Sequence, residues 1–163
     1  MVIIMNDFSK TTEQKEIFWN RPIPQLDNCE TAIKFVPPIT NGRVIKCYDG
    51  DTITIATYLP IPDSPLYKFS IRLLGIDCPE IRGKSDTEKM CAKLAKKFIE
   101  DRLLGNIVTL ENVSLEKYGR ILADVVYNGE HISSLLVDNR LAVRYNGGTK
   151  KVPDDWMRYH IIE

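Results

Sequence analysis

The sequence has no surplus of one charge: 22 Lys+Arg stand against 22 Asp+Glu in 163 residues, for a formal net charge of zero. A global basic field that would gather nucleic acid or an anionic membrane surface is therefore excluded, and any polyanion must be recognised locally. No apolar run approaches the roughly 18 residues that span a bilayer. The opening MVIIMNDF has no basic segment ahead of a long apolar stretch. The expectation is a chain with no transmembrane segment and no signal peptide, cytoplasmic or otherwise intracellular. Cys29, Cys47, Cys78 and Cys91 have no CxxC spacing and read as reduced thiols. Histidine is scarce: His131 and His160 fall in no recognisable motif and read as surface or core residues.

What is present suits one soluble domain with an added arm, since 44% hydrophobic and 27% charged residues can build a packed core. The charge is uneven. Residues 81–120 carry 9 basic and 6 acidic groups, whereas residues 1–40 carry 4 and 5. Residues 1–42 hold prolines at 22, 24, 37 and 38 and one short helical candidate, Thr12 to Trp19. They read as an N-terminal extension, either packing Phe18, Trp19 and Phe35 on the main body, partly disordered, or offering an extra contact surface. Residues 43–163 form the domain.

From Arg43 the pattern has period 2. RVIKCY and DTITIATY read as two antiparallel strands joined at Asp49-Gly50, a pair suited to a type I′ turn. YKFSIRLLGI sets Phe69, Ile71 and Leu73 on one face and Lys68, Ser70 and Arg72 on the other, giving a third strand. Ser85 and Glu88 make an S-x-x-E capping box ahead of a helix over about 86 to 103, with Met90, Cys91, Leu94, Ala95 and Phe98 as its apolar stripe and Gly105 as its stop. Lys89, Lys93, Lys96 and Lys97 on its other side read as a solvated face or as a guide for a phosphate chain. NIVTLENVSL and RILADVVY add two strands around Lys117-Tyr118-Gly119. Asn128-Gly129 turns into a short helical stretch ISSLLVDNRL, and Pro153 opens a terminal helix at N1 with acids in its first turn. Five strands with a helix between the third and fourth predict an α+β, mainly β fold: a five-stranded Greek-key OB-fold barrel with about three helices.

Three clusters carry chemistry. Counting in twos from Asp51 along the second strand gives Ile53 and Ile55, so its carboxylate shares a face with apolar side chains and needs a proton, a hydrogen bond or a cation. A turn aspartate bonding its own backbone is the plainer alternative. In RLLGIDCPE, Arg72, Asp77 and Glu80 lie within nine residues, with Pro79 stopping the ladder; a structural ion pair from Arg72 to Asp77 or Glu80 would account for them. In Glu116-Lys117-Tyr118-Gly119-Arg120, the glycine allows a tight turn that sets Arg120 at the start of a strand, its fork at a barrel rim. Hard carboxylate oxygens suit Ca²⁺, and planar guanidinium forks suit phosphate.

The stretches Tyr48-Asp49-Gly50-Asp51-Thr52, Arg72 to Glu80 and Lys117-Tyr118-Gly119-Arg120 resemble, in order, the signature segments of the staphylococcal nuclease (thermonuclease-like) family, over about Arg43 to Tyr145. That resemblance implies a Ca²⁺-dependent nuclease acting on DNA and/or RNA and leaving 3′-phosphates; a monomer with no membrane partner is the accompanying expectation. It implies Asp51 and Asp77 as metal ligands together with the main-chain carbonyl of Cys78, where the family usually has Thr. It implies Glu80 as the residue activating or orienting the attacking water and Arg72 and Arg120 as the pair holding the scissile phosphate. Lys117, Tyr118 and Tyr145 are the candidate substrate contacts. The competing class is a noncatalytic OB-type nucleic-acid-binding or protein-interaction module.

Overall fold

The computed structural model describes residues 22–25, 32–116 and 118–161. The helical candidate at Thr12 to Trp19, Cys29 and Lys117 lie outside the described residues. The chain divides into two compact units, residues 1–35 and 36–163. The second holds every strand and helix among the described residues.

Alternation of β-branched residues with polar ones makes β1 (Asn41–Cys47), β2 (Thr52–Tyr58) and β3 (Leu66–Leu73), an antiparallel meander. After the short β4 (Ile76–Asp77) comes α1 (Asp86–Leu103), then the antiparallel pair β5 (Ile107–Leu115) and β6 (Ile121–Tyr127). β5 pairs with β1, and β6 pairs in parallel with β3, so the sheet closes on itself. The result is the five-stranded OB-type barrel read from the pattern, with α1 between its third and fourth barrel strands. Val44, Ile53, Ile55, Ile71, Leu73, Val108 and Val125 fill its interior. β7 (Glu130–His131) pairs antiparallel with β6 across an Asn128-Gly129 turn in which both residues have positive φ, the geometry of a type I′ turn. α2 (Ile132–Asp138), β8 (Val143–Arg144) and α3 (Trp156–Ile161) complete the unit.

Local expectations change in four places. The Asp49-Gly50 connection is not a type I′ turn: neither residue has positive φ, and the hydrogen bond runs from Tyr48 N–H to Thr52 O, 2.8 Å. Gly50 is needed for closeness instead. A Cβ built there would lie 2.7 Å from the Ala95 Cβ and 2.9 Å from the Cys78 sulfur. The buried stripe of α1 is Cys91, Ala92, Ala95, Ile99 and Leu103, while Met90 and Leu94 are 56% and 42% exposed. Small Ala92 and Ala95 let the helix backbone approach the barrel, which larger side chains on that face would prevent. β3 ends at Leu73, and a turn with Gly75 at φ +80° sends Ile76–Asp77 to pair with β8. Pro153 precedes α3 by three residues, and the side chain of Asp155 accepts from Arg158 N–H at 2.9 Å, so Asp155 caps the helix in place of acids within its first turn.

Gly50→Ala is expected to destabilise the fold by about 1–3 kcal/mol, the usual cost of overpacking. A urea unfolding curve measures this; an unchanged midpoint would deny the close approach.

Candidate active site

β3 brings Arg72 opposite Thr52 in one ladder and opposite Leu122 in the other, at the seam where the barrel closes. Its guanidinium pairs with Asp51, and its Nη2 donates to Asp77 Oδ1 at 3.0 Å and to Ile76 O at 3.3 Å. Asp51 and Asp77 are buried, and Asp51 also accepts from the Thr52 hydroxyl at 2.9 Å. The cation that a buried Asp51 needs is therefore Arg72. The structural ion pair weighed for Arg72 forms with Asp77, not with Glu80. Two carboxylates share one guanidinium, and their attraction outweighs the cost of its burial, so Arg72 stays firmly charged.

Burial pushes the Asp51 carboxyl up to about 7, Arg72 opposes the rise, and the Asp49 carboxylate beside it adds to it. Asp49 Oδ1 is buried with no hydrogen-bond partner. An orphaned carboxylate oxygen against a second carboxylate is a place where a hard cation fits, because it would satisfy the oxygen and relieve the repulsion. Among the described residues no three His, Cys, Asp or Glu side chains form a cage. A cation here would have to rely on few carboxylates, with carbonyl and water oxygens completing its shell. The Cys78 thiol is no alternative donor: burial and then the aspartates raise it well above its ordinary range, leaving a neutral sulfur packed toward Gly50.

At the opposite wall the β5–β6 hairpin turns on Gly119 at φ +83°, with Glu116 N–H bonded to Arg120 O at 2.9 Å. β6 opens at Ile121, so Arg120 sits one residue before the strand, not in it. Its fork is held by both oxygens of Glu116, and that hydrogen bond raises its pKa further. The Arg120 side chain is about half exposed and that of Glu116 only 15%, so the guanidinium is within reach of a phosphate from solvent while its partner stays mostly buried.

These walls enclose a cleft of about 870 Å³. Of the residues singled out by sequence, Asp51, Arg72, Cys78, Glu80, Tyr118, Arg120 and Tyr145 line it. Asp77 reaches it through Arg72 and Lys150. Tyr118 is 76% exposed, and the Tyr145 hydroxyl donates to Gly148 O at 3.0 Å. Neither His131 nor His160 lines the cleft. The lysine face of α1 is largely matched by acids of the same helix, in Lys89–Asp86, Lys96–Glu100 and Lys97–Asp101 pairs, and so favours the solvated reading over a phosphate guide.

Sequence reasoning missed Lys150. Its Nζ lies 2.8 Å from Asp77 Oδ1 and 3.5 Å from Glu80 Oε1. Partial burial disfavours its charge, but the two carboxylates outweigh that and raise its pKa. The only signal was the Gly147-Gly148 pair ahead of it, whose positive φ values turn the loop back over the cleft. Asp49 was also passed over, although it stands in the same short stretch as Asp51.

Residues 70–159 match the family described as staphylococcal nuclease homologue. The chain belongs to that family. The match carries Arg72, Asp77, Glu80, Arg120, Tyr145 and Lys150, while Asp49 and Asp51 enter the same cleft from the β1–β2 connection upstream of it. Among relatives of this nuclease homologue, an uncharacterised protein of Bacillus anthracis is 35% identical over 98 residues, 58% of this chain and 42% of its own length. The probable endonuclease LCL3 of Saccharomyces cerevisiae (strain RM11-1a) is 29% identical over 157 residues, 84% of this chain and 57% of its own length. The protein of the same name in Zygosaccharomyces rouxii is 26% identical over 168 residues, 87% of this chain and 59% of its own. The chain spans about half the length of the curated relatives it matches. Among the described residues no helix is long and apolar enough to cross a membrane.

Proposed function

We propose that the chain is a calcium-dependent nuclease that hydrolyses phosphodiester bonds in DNA and/or RNA and leaves 3′-phosphates. The observation that carries this reading is the convergence, in one cleft, of two arginine forks, one from β3 and one from the β5–β6 turn, with buried carboxylates and a rim glutamate. Family membership and two relatives named as probable endonucleases support the nuclease class.

Asp51 and Asp77, with the carbonyl of Cys78, would hold the cation. A calcium ion held by these residues would supply Lewis acidity to the phosphate. Glu80, whose side chain is 61% exposed at the rim, orients the attacking water and accepts its proton. Arg120 exchanges Glu116 for the phosphate, and Arg72, already fixed by two aspartates, presents its remaining edge to the same group. Water adds to phosphorus in line with the departing 5′ oxygen, and the bond that breaks leaves the phosphate on the 3′ side. Tyr118, Tyr145 and Lys117 offer contacts to the flanking nucleotide.

The test is to incubate single-stranded DNA, and separately RNA, with the protein in Ca²⁺ and then in chelator. Fragments bearing 3′-phosphates only in Ca²⁺ are the expected result; binding without cleavage would favour the noncatalytic OB-type module.

Arg120→Lys separates a phosphate grip from a surface pair. Lysine keeps the charge and loses the bidentate fork, so turnover is expected to fall by about 10²-fold or more, roughly 2.7 kcal/mol. Lysine keeps a positive charge beside Glu116, whose side chain is 15% exposed, so the ion pair is kept in sign and the melting temperature should move little. Near-normal turnover would remove Arg120 from the site.

A further inference from the structure

The S-x-x-E pattern at Ser85 and Glu88 is only half a capping box. Glu88 N–H donates to Ser85 Oγ at 3.1 Å, as a cap requires. The Glu88 carboxylate, however, reaches past Ser85 to the preceding loop. Its Oε2 accepts from Lys84 N–H at 3.0 Å and its Oε1 from Glu80 N–H at 3.3 Å. Between these two amides the loop bends, with Gly83 N–H bonded to Glu80 O at 2.8 Å. Both main-chain polar groups of Glu80 are thus engaged, one by the turn and one by Glu88.

Gly83 makes room for this arrangement. A Cβ there would fall 2.2 Å from the Glu88 Cδ and 2.3 Å from its Oε2. Gly83 has no positive φ, so left-handed backbone is not what calls for glycine at this position. The loop is wrapped round the carboxylate.

We infer that Glu88 is a positioning residue: a clip from the first turn of α1 that fixes where the Glu80 carboxylate stands over the cleft. This rests on the proposed role of Glu80 in cleavage. A rim carboxylate that is mostly exposed has many rotamers and a mobile backbone to lose unless the loop is tied, and small misplacement of such a group lowers turnover without weakening substrate binding. Lys150 touches the Glu80 side chain from the other wall, but at 3.5 Å it cannot fix the main chain.

Two variants break the clip by different means. Glu88→Gln turns one accepting oxygen into a donor facing an N–H. Gly83→Ala leaves Glu88 intact and displaces its carboxylate by volume. Each is measured for Ca²⁺-dependent cleavage of single-stranded DNA, alone and combined with Glu80→Gln, with thermal unfolding and amide hydrogen exchange at Glu80 and Lys84 alongside. The expected result is a kcat lower by about tenfold or more with KM within twofold, faster exchange at both amides, and less than twofold further loss when either variant is added to Glu80→Gln. Full losses that multiply with Glu80→Gln, unchanged kcat in the folded variants, or a loss accounted for by unfolding alone would overturn the clip while leaving the role of Glu80 intact. Undiminished cleavage by Glu80→Gln itself, or no Ca²⁺-dependent cleavage by the unaltered protein, would instead overturn the reading of Glu80, and the clip with it.

Discussion

Arg72→Met, which keeps volume and removes charge, is expected to lower the stability of the metal-free protein at pH 8 by about 3–5 kcal/mol, the cost of leaving buried carboxylates without their counter-ion. Asp51 and Asp77 have side chains 6% and 3% exposed, so water cannot replace the guanidinium. Lys150 remains on Asp77 but does not reach Asp51, which is left with the Thr52 hydroxyl. The penalty should shrink at pH 5, where Asp51 can take up a proton instead. Saturating Ca²⁺ should recover part of it, because a divalent ion placed between the aspartates does the work of the lost cation. Urea unfolding at the two pH values, with Ca²⁺ and with chelator, measures all three effects. A loss below 1 kcal/mol at pH 8 would show that Arg72 is not what neutralises this pair.

Asp51→Asn should act in the opposite direction. Burial raises this carboxyl from 3.8 to about 7 in the folded chain. Its contribution to stability is therefore complete below about pH 4, declines as the pH rises toward 7, and is gone above that. The metal-free protein should weaken over that interval, and asparagine should flatten the slope and leave the variant more stable than the unaltered chain at pH 8. The same substitution should abolish cleavage and the Ca²⁺ response, which for a single site at 100 times its dissociation constant is about 2.7 kcal/mol. A variant that is less stable at pH 8, or that still melts higher in Ca²⁺, would place the cation elsewhere.

The barrel was legible because its determinants are local. Period-2 alternation, Asn128-Gly129, Gly105 and the Ser85 cap each act within a few residues, and α1 spans Asp86–Leu103 where the pattern put it. What local pattern could not show is how tightly two segments meet. Asp49-Gly50 has the composition of a type I′ turn, yet the glycine answers to Ala95 and Cys78, residues distant in sequence. The stripe of α1 was misjudged for the same reason: Met90 and Leu94 have helical spacing, but the barrel accepts the face bearing alanine. At the candidate site, the carboxylates and arginines stood in short stretches with their own turn chemistry. Lys150 did not, because it comes to Asp77 on a loop whose path is set by a β4–β8 pairing two residues long.

The parallel pairing of β3 with β6 joins Ile71 to Ile121 and Arg72 to Leu122, across fifty positions of chain. Arg72 and Arg120 face a common cleft only because that seam is closed. A contact so distant in sequence must meet its loop-closure cost before it is rewarded, so the seam is expected to close after the more local β1–β2–β3 meander. A chain halted before closure could show much of its secondary structure and still have its two guanidinium groups on separate pieces. Recovery of phosphate binding during refolding would then lag behind recovery of circular dichroism, and the interval between them would time the closing of the barrel.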